Sequence, residues 1–553
     1  MKNKDRREAQ LRGQIEIKKS VFEALAKKHP RFDYYRNEWE YRTEKDAVYL
    51  PIRRFQVEEL KDLVSIMEKS TPRPSATISQ ITASLQVILY PTKGVIGTLV
   101  NLESAILSYL RNDIVEGWIF VKHKKTGILE PYLVESVMYH PTERTRDGGM
   151  IAAFTSLRAI RQSRGEKESF SCNWHASELR KSVDLLLLDE GIIHESPKLV
   201  KEYYEREKIF LKWRGSMGKQ FLGTGTFRAK GSSHWSQEHD YDMHNTRIVI
   251  DDRADPIERH QGTGLFQDLE EDTPALDPEK AELYTKVPLG FYIWCFNLES
   301  HREGWVHLDH MKPYVYNPEL RQKLVLTDEH QDLIDALTGD MDVLMDDIIS
   351  GKSGGTTILC QGKAGTGKTL TAEIYAEVVQ RPLYRVHSGQ LGIEAEGVET
   401  VLKEALNRSK RWGAVMLIDE ADVFLMERGK DLAQNAVCGV FLRILEYFDG
   451  LLFLTTNRSD SIDDAILSRC IAHIKFDVPD LSSRVRLWQT LGDTYNLKLT
   501  EDKKMVQHLA QRFDKATGRD IKGLIRLAIK YSRQRKKEVR FEDLERMATF
   551  KGM

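Results

Sequence analysis

Cysteine is scarce. The chain holds five in 553 residues, Cys172, Cys295, Cys360, Cys438 and Cys470, scattered and without a CxxC pair. That spacing argues against a disulfide framework and a thiolate zinc site, and it fits a reducing, cytoplasmic setting. Long hydrophobic runs are missing too. The most apolar stretch, ASLQVILYPTKGVIGTLVNLESAILSYL, is broken by Pro91, Lys93 and Glu103, so no membrane-spanning segment is expected. The N-terminal MKNKDRREAQLRGQIEIKKS is charged throughout and lacks the apolar region of a secretory signal. Charge of one sign is not in excess either. Lys and Arg number 82 against 83 Asp and Glu, a formal net charge of -1, so no global basic field exists to hold nucleic acid. No internal repeat or low-complexity tract is present. What remains is 41% hydrophobic and 30% charged, the balance of globular domains with charged surfaces. The length calls for two to four such domains.

The pattern divides the chain near residue 320. Residues 1 to about 75 read as charged and mostly helical, with FQVEELKDLVSIMEKS apolar at helical spacing. GWIFVKHKKTGILEPYLVESVMYH reads as a hairpin around KKTG. HASELRKSVDLLLLDEGI and SPKLVKEYYEREKIFLKW read as helices, and TRIVIDD and GFYIWCFNLESHREGWVHLDHMKPY as strands. From Thr356 short apolar runs alternate with helical stretches: TTILCQG, PLYRVHS, AVMLIDE, LLFLTTN and AHIKF. Runs apolar on both faces fit parallel strands buried under helices. After DVPD the chain is helical to the end. The expected fold class is therefore α/β, a P-loop NTPase parallel sheet with a C-terminal helical lid, preceded by a mixed, strand-rich α+β region. The expected divisions are 1–320, 321–480 and 481–553.

Chemistry concentrates in the second half. Gly362, Lys363, Ala364, Gly365, Thr366, Gly367, Lys368 and Thr369 fit G-x-x-x-x-G-K-[ST], between a strand and the helix that Leu370 continues. Glycines let backbone N–H groups wrap phosphate oxygens, and the helix N-terminus adds positive dipole. Lys368 is placed for the β- and γ-phosphates and Thr369 for Mg²⁺. AVMLIDEAD ends a buried strand in Asp419, suited to holding Mg²⁺ through water, followed by Glu420, a carboxylate suited to polarising the attacking water. LLFLTTN puts the amide of Asn457 at a third strand tip, where it can orient that water. Arg469 in DDAILSRC and Arg519 in ATGRDIKGL draw their interest from position, one after the Asn strand and one opening a terminal helix. A guanine-reading NKxD motif is absent, which argues against a GTPase switch.

Residues 325–553 resemble the AAA ATPases, within the wider AAA+ group. The resemblance rests on Walker A, Walker B with its DE pair, a sensor-1 Asn, an arginine finger in an SR context and a sensor-2 Arg opening a lid helix. RPLYRVHSGQLG, LIDEADVFLMERG and VFLRILEYFDGLLFLTTNR also resemble a branch common in fungi that carries a long N-terminal domain. The resemblance implies ATP and Mg²⁺ as ligands and a homo-oligomeric ring, usually a hexamer, with sites between subunits. It implies nucleotide and Mg²⁺ binding by Lys368, Thr369 and Asp419, with Glu420 as base and Asn457 as sensor 1. It further implies Arg469 acting in trans and Arg519 sensing nucleotide from the lid. Two features depart from the family. HSGQLGIEAEGVETVL has no aromatic residue where many such motors grip a threaded polypeptide, only Ile393 among Glu394, Glu396 and Glu399, and Cys470 and Ile471 replace a second arginine after Arg469. The leading expectation is an ATP hydrolase that remodels proteins or their complexes. The alternatives are a loader-like ATPase on nucleic acid or nucleoprotein, and a nucleotide-gated scaffold.

The first half names no substrate. Trp118, Trp174, Trp213, Trp235, Trp294 and Trp305 read mainly as core or interface aromatics. His234, His239, Asp240, Asp242 and His244 fit no common zinc spacing. Lys212, Arg214, Lys219, Arg228 and Lys230 read as a solvated strand–turn–strand in preference to a nucleic-acid surface.

Overall fold

The computed structural model describes residues 14–32, 47–51, 57–70, 85, 89, 95–97, 99–124, 126–144, 150–229, 239–252, 262, 264–265, 284–339, 355–392, 395–426, 432–458 and 462–551. Contacts divide the chain into two compact units, residues 1–213 with 254–293, and residues 214–253 with 294–553. Each is discontinuous in sequence.

In the first unit, β1 (Gln14–Lys18) pairs antiparallel with β2 (Ala47–Pro51), with Ile17 opposite Val48. Among the described residues of this stretch, the mostly helical expectation holds for α1 (Lys19–Lys28) and α2 (Val57–Lys69). QIEIK and AVYLP carry the β-branched alternation of strands, which wins over their charged surroundings. Beyond α3 (Leu99–Arg111) come β3 (Trp118–Lys122), β4 (Leu129–His140), β5 (Phe154–Ser163) and β6 (Glu166–His175). Next are α4 (Val183–Asp189), β7 (Ile192–His194) and α5 (Pro197–Arg214). The expected hairpin is present as β3–β4, inside an antiparallel sheet ordered β6-β5-β4-β3-β7. Leu102 and Ile106 of α3 and Leu186 and Leu187 of α4 bury against Ile119, Val134 and Leu157 of that sheet.

The second unit opens with a small closed sheet. Its strands are β8 (Gln220–Ala229), β9 (His239–Ile250), β10 (Tyr292–Asn297), β11 (Arg302–His307) and β12 (Met311–Pro313). β8 pairs with β9, β11 and β12, while β10 bridges β9 and β11, so four strands close a circuit. Gly304 lets β11 lie close against β8: a Cβ there would sit 2.4 Å from the Arg228 carbonyl oxygen. His239, Asp240, Asp242 and His244 lie along β9, and His234 lies outside the described residues. Among the described residues no group of three or more His, Cys, Asp or Glu side chains is arranged to hold a metal ion.

After α6 (Asp328–Gly339) the expected α/β grammar appears. Its elements are β13 (Thr356–Gly362), α7 (Lys368–Val378), β14 (Leu383–His387), α8 (Ala395–Trp412) and β15 (Val415–Asp419). They are followed by α9 (Leu432–Leu445), β16 (Leu451–Thr456) and β17 (Ala472–Phe476). The five strands form one parallel sheet ordered β14-β15-β16-β13-β17. Every residue of β15 and β16 is buried, as runs apolar on both faces require. Among the described residues, four α-helices follow the sheet: α10 (Leu481–Tyr495), α11 (Lys503–Arg512), α12 (Gly518–Gln534) and α13 (Phe541–Lys551), around Trp488, Leu509, Leu524 and Leu544.

The boundary expected at residue 320 falls inside this second unit. Val249 and Phe296 of the small sheet belong to the same hydrophobic core as Tyr384, Leu402, Trp412 and Leu454. The Phe296 ring stands 5.1 Å from Trp412 and 5.5 Å from Tyr384, with the Arg408 guanidinium 4.5 Å over its face. Buried Asp251 accepts hydrogen bonds from Arg411 at 2.9 Å and from Trp412 Nε1 at 3.0 Å, both at the end of α8. Buried Glu377, near the end of α7, accepts from the Tyr314 hydroxyl at 2.6 Å and the Asn317 amide at 3.0 Å, with Arg247 at 3.3 Å. The small sheet thus clamps two helices of the α/β layer.

Phe296→Ala is expected to cost about 3–5 kcal/mol, because a large buried ring leaves a cavity. The measurement is the urea midpoint for loss of fluorescent-nucleotide binding by the full chain. It should fall together with the tryptophan-fluorescence midpoint; an unmoved binding midpoint would mean that the small sheet folds independently of the α/β layer.

Candidate nucleotide site

The site lies at the C-terminal ends of the parallel strands, where α/β sheets place ligands. Gly362 ends β13, and Lys363 to Gly367 turn the chain into α7. Two glycines are needed there for different reasons. Gly367 has φ +111, a conformation that side chains rarely adopt, at the N-cap of α7. Gly365 has φ +84, and a Cβ on it would sit 2.8 Å from both Arg519 Cβ and Thr517 Oγ1. Close approach of α12 to the loop is therefore part of the fold. Thr517 caps α12, with the Asp520 carboxylate accepting from its amide at 3.0 Å, and the Arg519 amide donates to Gly365 O at 3.3 Å.

Lys368 Nζ donates to Gly362 O at 2.7 Å, Lys363 O at 2.8 Å and Asn457 Oδ1 at 3.0 Å. Burial pulls this ammonium below the ordinary lysine range. The lysine, the loop and the tip of β16 are thereby drawn to one point. Thr369 Oγ1 donates to Asp419 Oδ1 at 2.9 Å. A hydroxyl whose proton is spent in this way keeps lone pairs for a cation. The hydroxyl and carboxylate form a hard, all-oxygen donor set that fits Mg²⁺.

Asp419 is buried, and burial alone would raise its pKa. Hydrogen bonds from Thr455 and Thr369 and the Arg385 guanidinium outweigh that effect and hold the carboxyl below its usual range. Thr455 serves both acidic residues. Its hydroxyl donates to Asp419 Oδ1 at 2.6 Å and accepts from the Glu420 amide at 3.0 Å. Glu420 has φ +55, a left-handed conformation unusual for glutamate, and its side chain is exposed at the cleft. Asp422 accepts from the Asn457 amide at 3.1 Å and from the Thr456 hydroxyl, which fixes the tip of β16.

These groups line a cleft of about 860 Å³. Loop residues Ala364 to Leu370 line it with Asp419, Glu420, Asn457 and Arg519. Apolar side chains also line it: Leu324, Val325 and Leu326 ahead of α6, and Leu487, Leu491 and Tyr495 of α10. A lining that mixes polar loop groups with apolar side chains suits a ligand with a charged part and a flat apolar part. Arg469 lies elsewhere: its guanidinium donates to Ala465 O at 3.0 Å and faces Glu446 at 3.5 Å. Of the residues named in the segment after β14, Ile393 and Glu394 are outside the described residues, and Glu399 is paired with Lys403 and Arg443.

Sequence pattern alone leaves several contributors unmarked. Thr455 reads as one more strand residue, and the apolar KLVLT before α6 resembles any short hydrophobic run. Arg385 on β14 is a third such residue.

A strand, a glycine loop with its lysine, and a helix, facing an acidic strand end, define a P-loop nucleotide-binding domain. Residues 358–478 match the model of the family described as "ATPase family associated with various cellular activities (AAA)". The match places an AAA-type ATPase domain within those residues. It is 26% identical over 205 residues to the ATP-dependent zinc metalloprotease FtsH of Malacoplasma penetrans, covering 34% of this chain and 24% of that protein. It is 29% identical over 201 residues to the putative AAA family ATPase R476 of Acanthamoeba polyphaga mimivirus, covering 32% and 24%. It is 29% identical over 178 residues to spastin of Ixodes scapularis, covering 30% and 27%. The chain thus spans about a quarter of the length of these relatives.

Thr455→Val keeps size and strand preference but removes a hydroxyl bonded to both Asp419 and Glu420. Loss of that support is expected to lower kcat for ATP by about 10–100-fold, the range for residues that orient metal ligands. Steady-state kinetics at saturating Mg²⁺ with a folding control would check it.

Proposed function

We propose that the chain is a Mg²⁺-dependent ATP hydrolase that works as a homo-oligomeric ring, most simply a hexamer, and remodels proteins or protein complexes. The observation that carries the reading is the convergence of Lys368, Thr369, Asp419 and Asn457, with Glu420 beside them, on one cleft that apolar side chains also line. Backbone amides of Gly365 to Thr369 wrap the phosphates, and Lys368 exchanges its carbonyl partners for β- and γ-oxygens. Thr369 and Asp419 would hold Mg²⁺, which would supply charge neutralisation at the phosphates. Glu420 accepts the proton of the attacking water, its backbone fixed by Thr455. Asn457 orients that water, and Arg519, tied through its amide to Gly365, reports the phosphates to the lid.

Arg469 is assigned to the neighbouring subunit's site. It is not among the residues lining its own cleft, and a guanidinium can pair two phosphate oxygens as charge develops. Residues ahead of the α/β layer are assigned to substrate choice. Among the described residues no helix is long and apolar enough to cross a membrane. Stimulation of turnover by unfolded protein, and not by DNA or RNA, is the result expected for a protein remodeller. The reverse would favour a nucleic-acid ATPase.

Glu420→Gln should bind ATP and lower hydrolysis by about 10²–10⁴-fold, because phosphate contacts persist while the base is lost. Near-normal turnover would remove Glu420 from that role. Arg469→Ala and Lys368→Ala subunits should each be inactive alone, since finger losses are on the order of 10³ to 10⁵ in rate. Mixed rings contain interfaces with both parts intact, so activity should partly return. No recovery in assemblies shown by mass to be mixed would place Arg469 in cis or outside the chemistry.

A further inference from the structure

Arg385 is not one of the residues that the phosphate-site motifs identify, yet it touches the carboxylate they depend on. Its guanidinium donates to Asp419 Oδ2 at 2.5 Å, and another of its nitrogens lies 3.6 Å from Glu373 Oε1. Its Nε is buried without a hydrogen-bond partner among the described residues. The other Asp419 oxygen is already committed to the Thr369 and Thr455 hydroxyls. Arg385 therefore occupies the oxygen that a hydrated cation would use. Glu373 stands one turn beyond Thr369 on α7, lines the same cleft, and is itself displaced by burial toward the neutral form, with Arg385 opposing. It offers the guanidinium a second seat.

We infer that Arg385 is a positioning residue that competes with hydrated Mg²⁺ for Asp419 and moves onto Glu373 when the metal–nucleotide complex binds. The Arg385–Glu373 pair then sets how much Mg²⁺ the site demands. The physical reason is charge balance. A guanidinium and a divalent cation repel at one carboxylate, and the metal wins only when phosphates complete its ligand set. A seat on Glu373 lowers the cost of moving Arg385 away, and it offsets the partial loss of solvent around that carboxyl. The inference rests on the ATP-site reading above.

The test uses the full chain, a fluorescent ADP that is not turned over, and a Mg²⁺ titration started in EDTA. Arg385→Gln should lower the Mg²⁺ concentration for half-maximal tightening of ADP by about tenfold, the size of effect that a neighbouring opposite charge has on a carboxylate's affinity for a proton. Glu373→Gln should raise it by a similar factor, and Arg385→Lys should stay near the wild type. The double variant should behave as Arg385→Gln does, since without the arginine the second seat has nothing to hold. A raised or unchanged Mg²⁺ demand in Arg385→Gln would overturn the competition. So would a Glu373→Gln effect that persists in the double variant, because a merely structural role gives no such dependence. If the wild type fails to bind the ADP probe at any Mg²⁺ concentration, the nucleotide-site reading itself falls, and this inference with it.

Discussion

One buried carboxylate organises the catalytic half of the chain. Asp419 is taken out of water by a strand buried along its whole length, which by itself is costly for a charged group. Three donors offset that cost: Thr369 from α7, Thr455 from β16 and Arg385 from β14. Each comes from a different element, so the charge is tolerated only when the sheet and the loop helix are assembled in register. The same arrangement that keeps the acid ionised also brings a hydroxyl, a lysine and an amide together at the glycine loop. Folding and chemistry therefore draw on one set of hydrogen bonds.

The small closed sheet extends that assembly outward. Glu377 near the far end of α7 is held by Tyr314 and Asn317, and α7 begins at Lys368. Asp251 holds the end of α8 through Arg411 and Trp412. Both clamps are carboxylates with their partners in place, and they flank the apolar contact of Phe296 with Trp412. The helix that starts at the phosphate loop is thus fixed at both ends, one by the site and one by strands more than a hundred residues earlier in sequence for Arg247.

Much of this was legible in sequence, for a specific reason. A two-faced apolar strand that stops at a polar residue announces both the strand and the residue at its tip, so Asp419, Glu420 and Asn457 could be placed without coordinates. The glycine loop and its lysine are contiguous, and their geometry is local. Arg385 and Glu373 were not legible, because their meaning comes from a partner: Arg385 meets Asp419 across 34 positions. The closed sheet was hidden for a similar reason. Its strands read correctly one by one, but β9 and β10 are separated by residues 251–291, most of which belong to the other unit. Nothing in local composition says which strands join across such an interval. The division at 320 followed the change of pattern, whereas the core follows the contacts of Val249 and Phe296.

The way the chain alternates between its two units bears on how it is made. It passes from one unit to the other at residues 213/214, 253/254 and 293/294. A ribosome that has released the first 250 residues has supplied two strands of the closed sheet but neither of those that complete it. The first unit, in turn, waits for residues 254–293. Neither unit can close while residues 1–250 are emerging, so exposed strand edges persist until Tyr292–Asn297 and Arg302–His307 follow. The same crossings mean that one nick between the units leaves them tied by two further covalent passages.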